Sequence, residues 1–157
     1  MSVSVLFVCL GNICRSPTAH GVFEQMLLEQ GLAEQVEVDS AGTGDWHIGR
    51  PPDARMQAAA KQRGYDLSHL RARQVSAQDF HNFDYVLAMD KSNFSDLQAM
   101  QPHNSRGKLS LFLDFAPQQH LREVPDPYYG GEAGFYEVID LVEAAAQGLL
   151  NDIRQTR

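Results

Sequence analysis

Residues 5–17 read Val5-Leu6-Phe7-Val8-Cys9-Leu10-Gly11-Asn12-Ile13-Cys14-Arg15-Ser16-Pro17. The stretch opens on an unbroken apolar run, as expected of a parallel strand buried on both faces. It ends on a serine and a proline, a pair that suits the first positions of a helix. Val3 to Val8 is therefore predicted as a strand, with Ser16 capping the helix that follows. Between them lies a turn whose N–H groups face a helix start, where donors lack intrahelical partners and the dipole favours an anion. Gly11 and Asn12 both tolerate positive φ, so the amides from Leu10 to Cys14 can turn inward as a cradle. Arg15 adds a planar fork that can hold two anion oxygens at once. Cys9 stands at the mouth of this cradle. A helix end and a nearby arginine favour its thiolate, the nucleophilic form. A strand-end cysteine can also be simple packing. The company of Gly11, Asn12, Arg15, Ser16 and Pro17 points instead to a phosphate-binding loop with a nucleophile built in.

Outward from the loop, strand-like and helix-like runs alternate. Thr18 to Gln30 has helical periodicity and stops at Gly31. Val36 to Ser40 reads as a second strand, and residues 41–52 as a loop. Asp53 is placed to cap a helix through Arg63 that ends at Gly64, and Ser76 to Asp79 resembles a capping box. Tyr85 to Ala88 and Leu109 to Leu113 read as strands three and four, with a helix over Ser92 to Met100 between them. A loop spans Ala116 to Gly131, and a long helix runs from about Phe135 to Arg154. This order predicts an α/β fold, a three-layer domain over residues 1–157 with a four-stranded parallel sheet and helices on both faces. Sites in such sheets form beyond the carboxyl ends of the strands, where Cys9 lies.

Bulk properties narrow the class. The 157 residues are 43% hydrophobic and 21% charged, an ordinary globular composition. A net charge of −7 argues against general nucleic-acid or anionic-membrane binding. No apolar run approaches the ~20 residues of a membrane span, and the start lacks signal-peptide character. Two cysteines, Cys9 and Cys14, make no disulfide framework, so a reducing, cytoplasmic setting is expected. None of the six histidines shows metal-ligand spacing with the cysteines, and no metal or cofactor is expected. His20, His47, His81, His103 and His120 read as surface residues.

Chemistry at phosphorus also needs an acid for the departing oxygen. Twenty carboxylates leave the choice open on spacing alone. Asp126 has the most unusual setting, Val124-Pro125-Asp126-Pro127-Tyr128-Tyr129-Gly130-Gly131. Its prolines stiffen the chain, and the residues by themselves read readily as a rigid surface turn. Trp46, the single tryptophan, reads equally as a loop anchor or a cleft wall. Cys14 sits on the same compact loop as Cys9. It reads either as apolar filling or as a guard that traps an oxidised Cys9 as a disulfide.

Cys9 to Ser16, placed after the first strand, closely resembles the signature of the low-molecular-weight protein tyrosine phosphatases: cysteine, five residues, arginine, then serine or threonine. The resemblance covers the whole chain and implies the same parallel fold. It implies Cys9 as nucleophile, Arg15 as phosphate ligand, Ser16 as a hydrogen-bond partner of the thiolate, and Asp126, in Asp-Pro-Tyr-Tyr, as general acid. It implies Ser40 and His69 as support for the loop, and Trp46, Tyr128 and Tyr129 as walls of the substrate cleft, a pattern of the eukaryotic-type branch. His20 and Ala54 depart from it, where glutamate and proline are usual. The implied reaction is hydrolysis of phosphotyrosine through a phosphocysteine, releasing inorganic phosphate. The partner would be a phosphotyrosine-containing protein, with tyrosine kinases among the candidates. Arsenate reductases of this fold use further cysteines downstream, and this chain has none after Cys14. Arginine phosphatases of this fold carry threonine where Ile13 stands and lack the paired tyrosines. A silent phosphotyrosine-binding module would not need the full set of Cys9, Arg15, Ser16 and Asp126.

Overall fold

Strand β1, Val3–Cys9, is buried along its whole length. Val3, Val5, Phe7 and Cys9 point into one apolar cluster, and Leu6 and Val8 into another. That two-sided burial is why the run shows no alternation. The computed structural model describes residues 2–156. The elements after β1 are α1 (Arg15–Glu29), β2 (Val36–Gly42), α2 (Ala54–Gln62), α3 (Asp79–Asn82), β3 (Tyr85–Ala88), α4 (Lys91–Met100) and β4 (Lys108–Leu111). A 3-10 turn, Phe112–Phe115, and helix α5, Glu132–Thr156, complete the chain. The sheet has the order β2-β1-β3-β4, all parallel, in a single three-layer α/β domain.

Helices α1, α2 and α5 share the larger cluster, where Phe7 meets Phe23 and Phe112 edge-on at 5.9 and 5.0 Å between ring centres. Helices α3 and α4 cover the other face through Phe80 and Leu97. The register of β1 on β2 pairs Cys9 with Gly42, so both strands end at one level. The segment 73–75 runs beside that end, with Gly42 N donating to Arg73 O and Val75 N to Gly42 O, both at 2.8 Å. Gly42 is required there. A Cβ on it would lie 2.8 Å from Leu10 O and 3.1 Å from Gly11 C, so the loop could not cross so closely.

Local signals settle several boundaries. Asp53 caps α2, accepting from Arg55 N at 2.8 Å and Met56 N at 3.3 Å. Asp79 accepts from Ser76 N at 2.8 Å, the returning half of a capping box. Other expectations need correction. Helix α1 begins at Arg15, with Cys14 in the cap position and no side-chain cap. Ser16 is already inside the helix, and its hydroxyl is used elsewhere. Strand β4 stops at Leu111 rather than Leu113, because Phe112 and Leu113 turn into the core as a 3-10 turn. An apolar run of that length does not distinguish the two. His20 is buried, not on the surface. It sits on the inner side of α1 with both ring nitrogens near partners, Ser40 Oγ at 2.9 Å and Glu24 Oε2 at 3.3 Å.

Candidate active site

The loop from Leu10 to Cys14 is clamped through its carbonyls. Thr43 N donates to Cys9 O and Gly44 N to Leu10 O, both at 2.9 Å, and Asp53 N donates to Ile13 O at 2.8 Å. Thr18 Oγ1 donates to Cys14 O at 2.7 Å. With the carbonyls turned outward, the amides turn inward. Among the described residues, the N–H groups of Gly11, Ile13 and Cys14 have no acceptor in the protein, while Asn12 N donates to Cys9 Sγ at 3.3 Å. Asn12 makes the turn possible with φ of 58°, in the left-handed region. Its side chain holds that conformation from both ends. Nδ2 donates to Ser16 Oγ at 2.8 Å, and Oδ1 accepts from Arg73 N at 3.0 Å. Since Ser16 Oγ accepts from Asn12, its own proton is free for Cys9 Sγ at 3.0 Å, with Ala41 O a longer alternative at 3.4 Å. Both donors point at the sulfur from the loop and the helix start.

Arg15 is buried beside Cys9, with only 3% of its surface exposed. Nη1 donates to Asp90 Oδ2 at 2.7 Å and to Val124 O at 3.1 Å, and Nη2 lies 3.8 Å from Asp126 Oδ2. Burial disfavours its charge. The charge on Cys9 and the hydrogen bond to Asp90 outweigh burial, so the guanidinium is held more firmly protonated than usual. Asp126 faces it from the loop after β4, its Oδ1 accepting from Tyr128 N at 3.1 Å. Cys9, Arg15 and Asp126 line one cavity of about 420 Å³, together with Trp46, Tyr128 and Tyr129 at its mouth. The two tyrosine rings meet edge to face at 4.9 Å, and Tyr129 is 93% exposed. Trp46 is 66% exposed and lies over Gly44, where a Cβ would come within 1.9 Å of its ring. Exposed rings around a charged floor suit a flat aromatic group carrying an anion.

Cys14 shares the wall of this cavity, and both cysteines are buried free thiols. Burial first, then the charges of Asp53 and Cys9, push the Cys14 thiol well above its ordinary range. It therefore stays protonated beside Cys9. Ser40 and His69 do not reach Asn12. Ser40 Oγ meets His20 Nδ1, His20 Nε2 faces Glu24, and Glu24 Oε1 lies 3.8 Å from His69 Nε2. The hydrogen bond from His20 holds the Glu24 carboxyl below its usual range. The direct supports of Asn12 are Ser16 and the backbone of Arg73, which Asp39 and Asp79 anchor through its guanidinium at 3.0 Å each.

Three further residues of the site escaped the sequence reading. Asp90 follows β3 at the carboxyl end of the sheet and caps α4 through Asn93 N at 2.7 Å, a position that could have marked it. Arg73 carried no local signal. His47, expected on the surface, forms part of the cavity wall, and a Cβ on Gly11 would lie 3.0 Å from its ring. Among the described residues, no group of three or more His, Cys, Asp or Glu side chains converges to hold a metal ion.

Residues 4–157 match the family described as "Low molecular weight phosphotyrosine protein phosphatase". The chain is 41% identical over 155 residues to the low molecular weight protein-tyrosine-phosphatase YfkJ of Bacillus subtilis, covering 99% of this chain and 98% of that one. It is 46% identical over 137 residues to the low molecular weight phosphotyrosine protein phosphatase of Homo sapiens, covering 86% and 85%. A crystal structure of a protein tyrosine phosphatase from Entamoeba histolytica superposes with a TM-score of 0.95 at 42% identity over 99% of each chain.

Proposed function

The chain belongs to the low molecular weight phosphotyrosine protein phosphatase family, and from that premise we propose that it hydrolyses phosphotyrosine in proteins through a phosphocysteine on Cys9. The observation that carries this reading is the convergence of Cys9, Arg15 and Asp126 on one cavity with aromatic walls. In the first step the Cys9 thiolate attacks phosphorus and the bond to the tyrosyl oxygen breaks. Asp126 gives that oxygen its proton. In the second step Asp126, now a carboxylate, takes a proton from water as the water oxygen attacks phosphorus. The sulfur–phosphorus bond breaks, the thiolate returns and inorganic phosphate leaves.

The transferring phosphoryl group spreads negative charge over three oxygens, so positioned donors do most of the work. The inward amides of Gly11, Ile13 and Cys14 and the free side of the Arg15 guanidinium supply them. Asp90 and Val124 O occupy Nη1 of Arg15, which fixes the plane in which its other N–H groups are offered. Each such donor is worth roughly 3 kcal/mol to a transition state of this kind. Trp46, Tyr128 and Tyr129 select an aryl over an alkyl leaving group, because only an aryl ring presents them a flat partner. A reducing, cytoplasmic setting suits a site that depends on a free Cys9 thiol. Among the described residues no helix is long and apolar enough to cross a membrane.

The test is a panel of phosphopeptides of one sequence carrying phosphotyrosine, phosphoserine or phosphoarginine. Phosphotyrosine is expected to turn over far faster than the other two. Equal turnover of phosphoserine, or a strong preference for phosphoarginine, contradicts the tyrosine assignment.

A further inference from the structure

Asp126 belongs to a loop, and its aim depends on what holds that loop. Its carboxylate accepts from Tyr128 N at 3.1 Å, so the backbone at Tyr128 sets its direction. That backbone is gripped from α2. Arg55 Nη2 donates to Tyr128 O at 3.0 Å, and its guanidinium lies 5.3 Å from the centre of the Tyr128 ring and 5.0 Å from that of Phe135. The guanidinium is itself oriented, with Nε 3.1 Å from Asp53 Oδ1 and Nη2 2.9 Å from Asp53 Oδ2. Asp53 N in turn donates to Ile13 O in the phosphate loop. An unbroken path of contacts thus joins the nucleophile loop to Asp126 through Ile13, Asp53, Arg55 and Tyr128.

We propose that Arg55 is the positioning residue for the general acid. By clamping the Tyr128 backbone to the start of α2, it fixes where Asp126 stands relative to the phosphate loop. The proposal rests on Asp126 being the acid. An arginine suits the task because one planar group must satisfy a carboxylate and a carbonyl together, which the point charge of lysine does not do. As an ion pair alone, a half-exposed Arg55 and Asp53 would matter little. As a spacer it matters more, since a misplacement of about 1 Å can cost on the order of a hundredfold in rate.

The test measures kcat/KM over aryl phosphates, from activated nitrophenols to phenol and phosphotyrosine, with inorganic phosphate as competitive inhibitor. The proteins are wild type, Arg55→Ala, Arg55→Lys, Asp126→Asn and the double variant Arg55→Ala/Asp126→Asn. Arg55→Ala should lose about tenfold on phosphotyrosine and less than about twofold on the most activated ester, because only a poor leaving group needs the proton. Phosphate inhibition should stay within about twofold of wild type, since the cradle keeps its own hydrogen bonds. Arg55→Lys should fall between wild type and Arg55→Ala, and the double variant should be no steeper than Asp126→Asn alone. An even loss across the series, no loss, or a lost response to phosphate in Arg55→Ala overturns the proposal. If Asp126→Asn leaves the leaving-group dependence unchanged, the acid assignment itself fails and the proposal falls with it.

Discussion

Asp90 and Arg15 meet at 2.7 Å although 75 residues separate them in the chain. Arg15 opens α1 just past the loop that follows β1, and Asp90 follows β3, the neighbouring strand, at the same edge of the sheet. The pair ties the charge proposed to bind phosphate to the scaffold. It also offsets the burial of a guanidinium whose other carboxylate neighbour, Asp126, stands farther off at 3.8 Å.

Replacing Asp90 should therefore do two things. Asp90→Ala removes the partner of a buried charge and the cap of α4, and should cost about 3 kcal/mol in chemical denaturation. Asp90→Asn keeps one of the two oxygens, enough for the cap on Asn93 N or for Arg15 Nη1 but not for both, so it should cost less than Asp90→Ala. Both should weaken inhibition by inorganic phosphate, because Arg15 is no longer held in plane. An Asp90→Ala protein with wild-type phosphate inhibition would show that Arg15 needs no second anchor.

The aromatic mouth gives a second expectation. Trp46→Ala should raise KM for phosphotyrosine substrates roughly fivefold, from the ~1 kcal/mol of a ring contact, with kcat nearly unchanged. An alkyl phosphate should show no such difference. Gly44→Ala should mimic the effect, because its Cβ would displace the Trp46 ring. A fall in kcat with KM intact would move Trp46 from binding to chemistry.

Much of this site lies in the order of residues along one short segment. Cys9 to Pro17 is legible because strand end, loop and helix start are consecutive, and the roles of Gly11 and Asn12 follow from backbone sterics. Asp53 is legible as a cap for the same reason. What was not legible comes from elsewhere in the chain. Asp90 is one of twenty carboxylates, and only the strand order brings it to Arg15. Arg73 reaches Asn12 through its own backbone N–H, which no side-chain pattern announces. His20 is buried because Ser40 and Glu24 satisfy it, a fact of packing between α1 and β2. Ser16 does not cap the helix, as its place before Pro17 suggests, but stands 3.0 Å from Cys9 Sγ, as the family resemblance implies; a serine that caps and a serine that faces a thiolate look alike in local sequence.

Oxidation should distinguish Cys14 from a packing residue. Peroxide converts the Cys9 thiolate to a sulfenic acid. The Cys14 thiol can displace its hydroxyl, giving a disulfide and water. Burial keeps Cys14 protonated, so it does not compete with Cys9 for the oxidant. After peroxide and then dithiothreitol, wild type should recover most activity and Cys14→Ser much less. Equal recovery would leave Cys14 as filling.

Asp53 sets a pH dependence of stability. Its hydrogen bond from Arg55, aided by those from the Arg55 and Met56 amides, outweighs burial and holds its carboxyl below the usual range. A depressed folded value stabilises the protein above the unfolded value of about 3.9. That contribution is lost as pH falls through the folded value. Asp53→Asn keeps an oxygen for the cap and removes the titration, so its unfolding free energy should change less with pH below about 4 than that of wild type. Parallel acid limbs in the two proteins would assign the loss to other carboxylates.

The central claim is a covalent phosphocysteine on Cys9, and rapid quenching in acid tests it most directly. Wild type mixed with excess phosphotyrosine peptide and quenched within one turnover should carry a phosphoryl group on the peptide containing Cys9, seen by mass spectrometry. Cys9→Ser should carry none there and should lose turnover by more than about a thousandfold, as removal of an enzyme nucleophile does. A wild-type protein that turns over without phosphoryl on Cys9, or a Cys9→Ser protein within about tenfold of wild-type rate, would contradict the account.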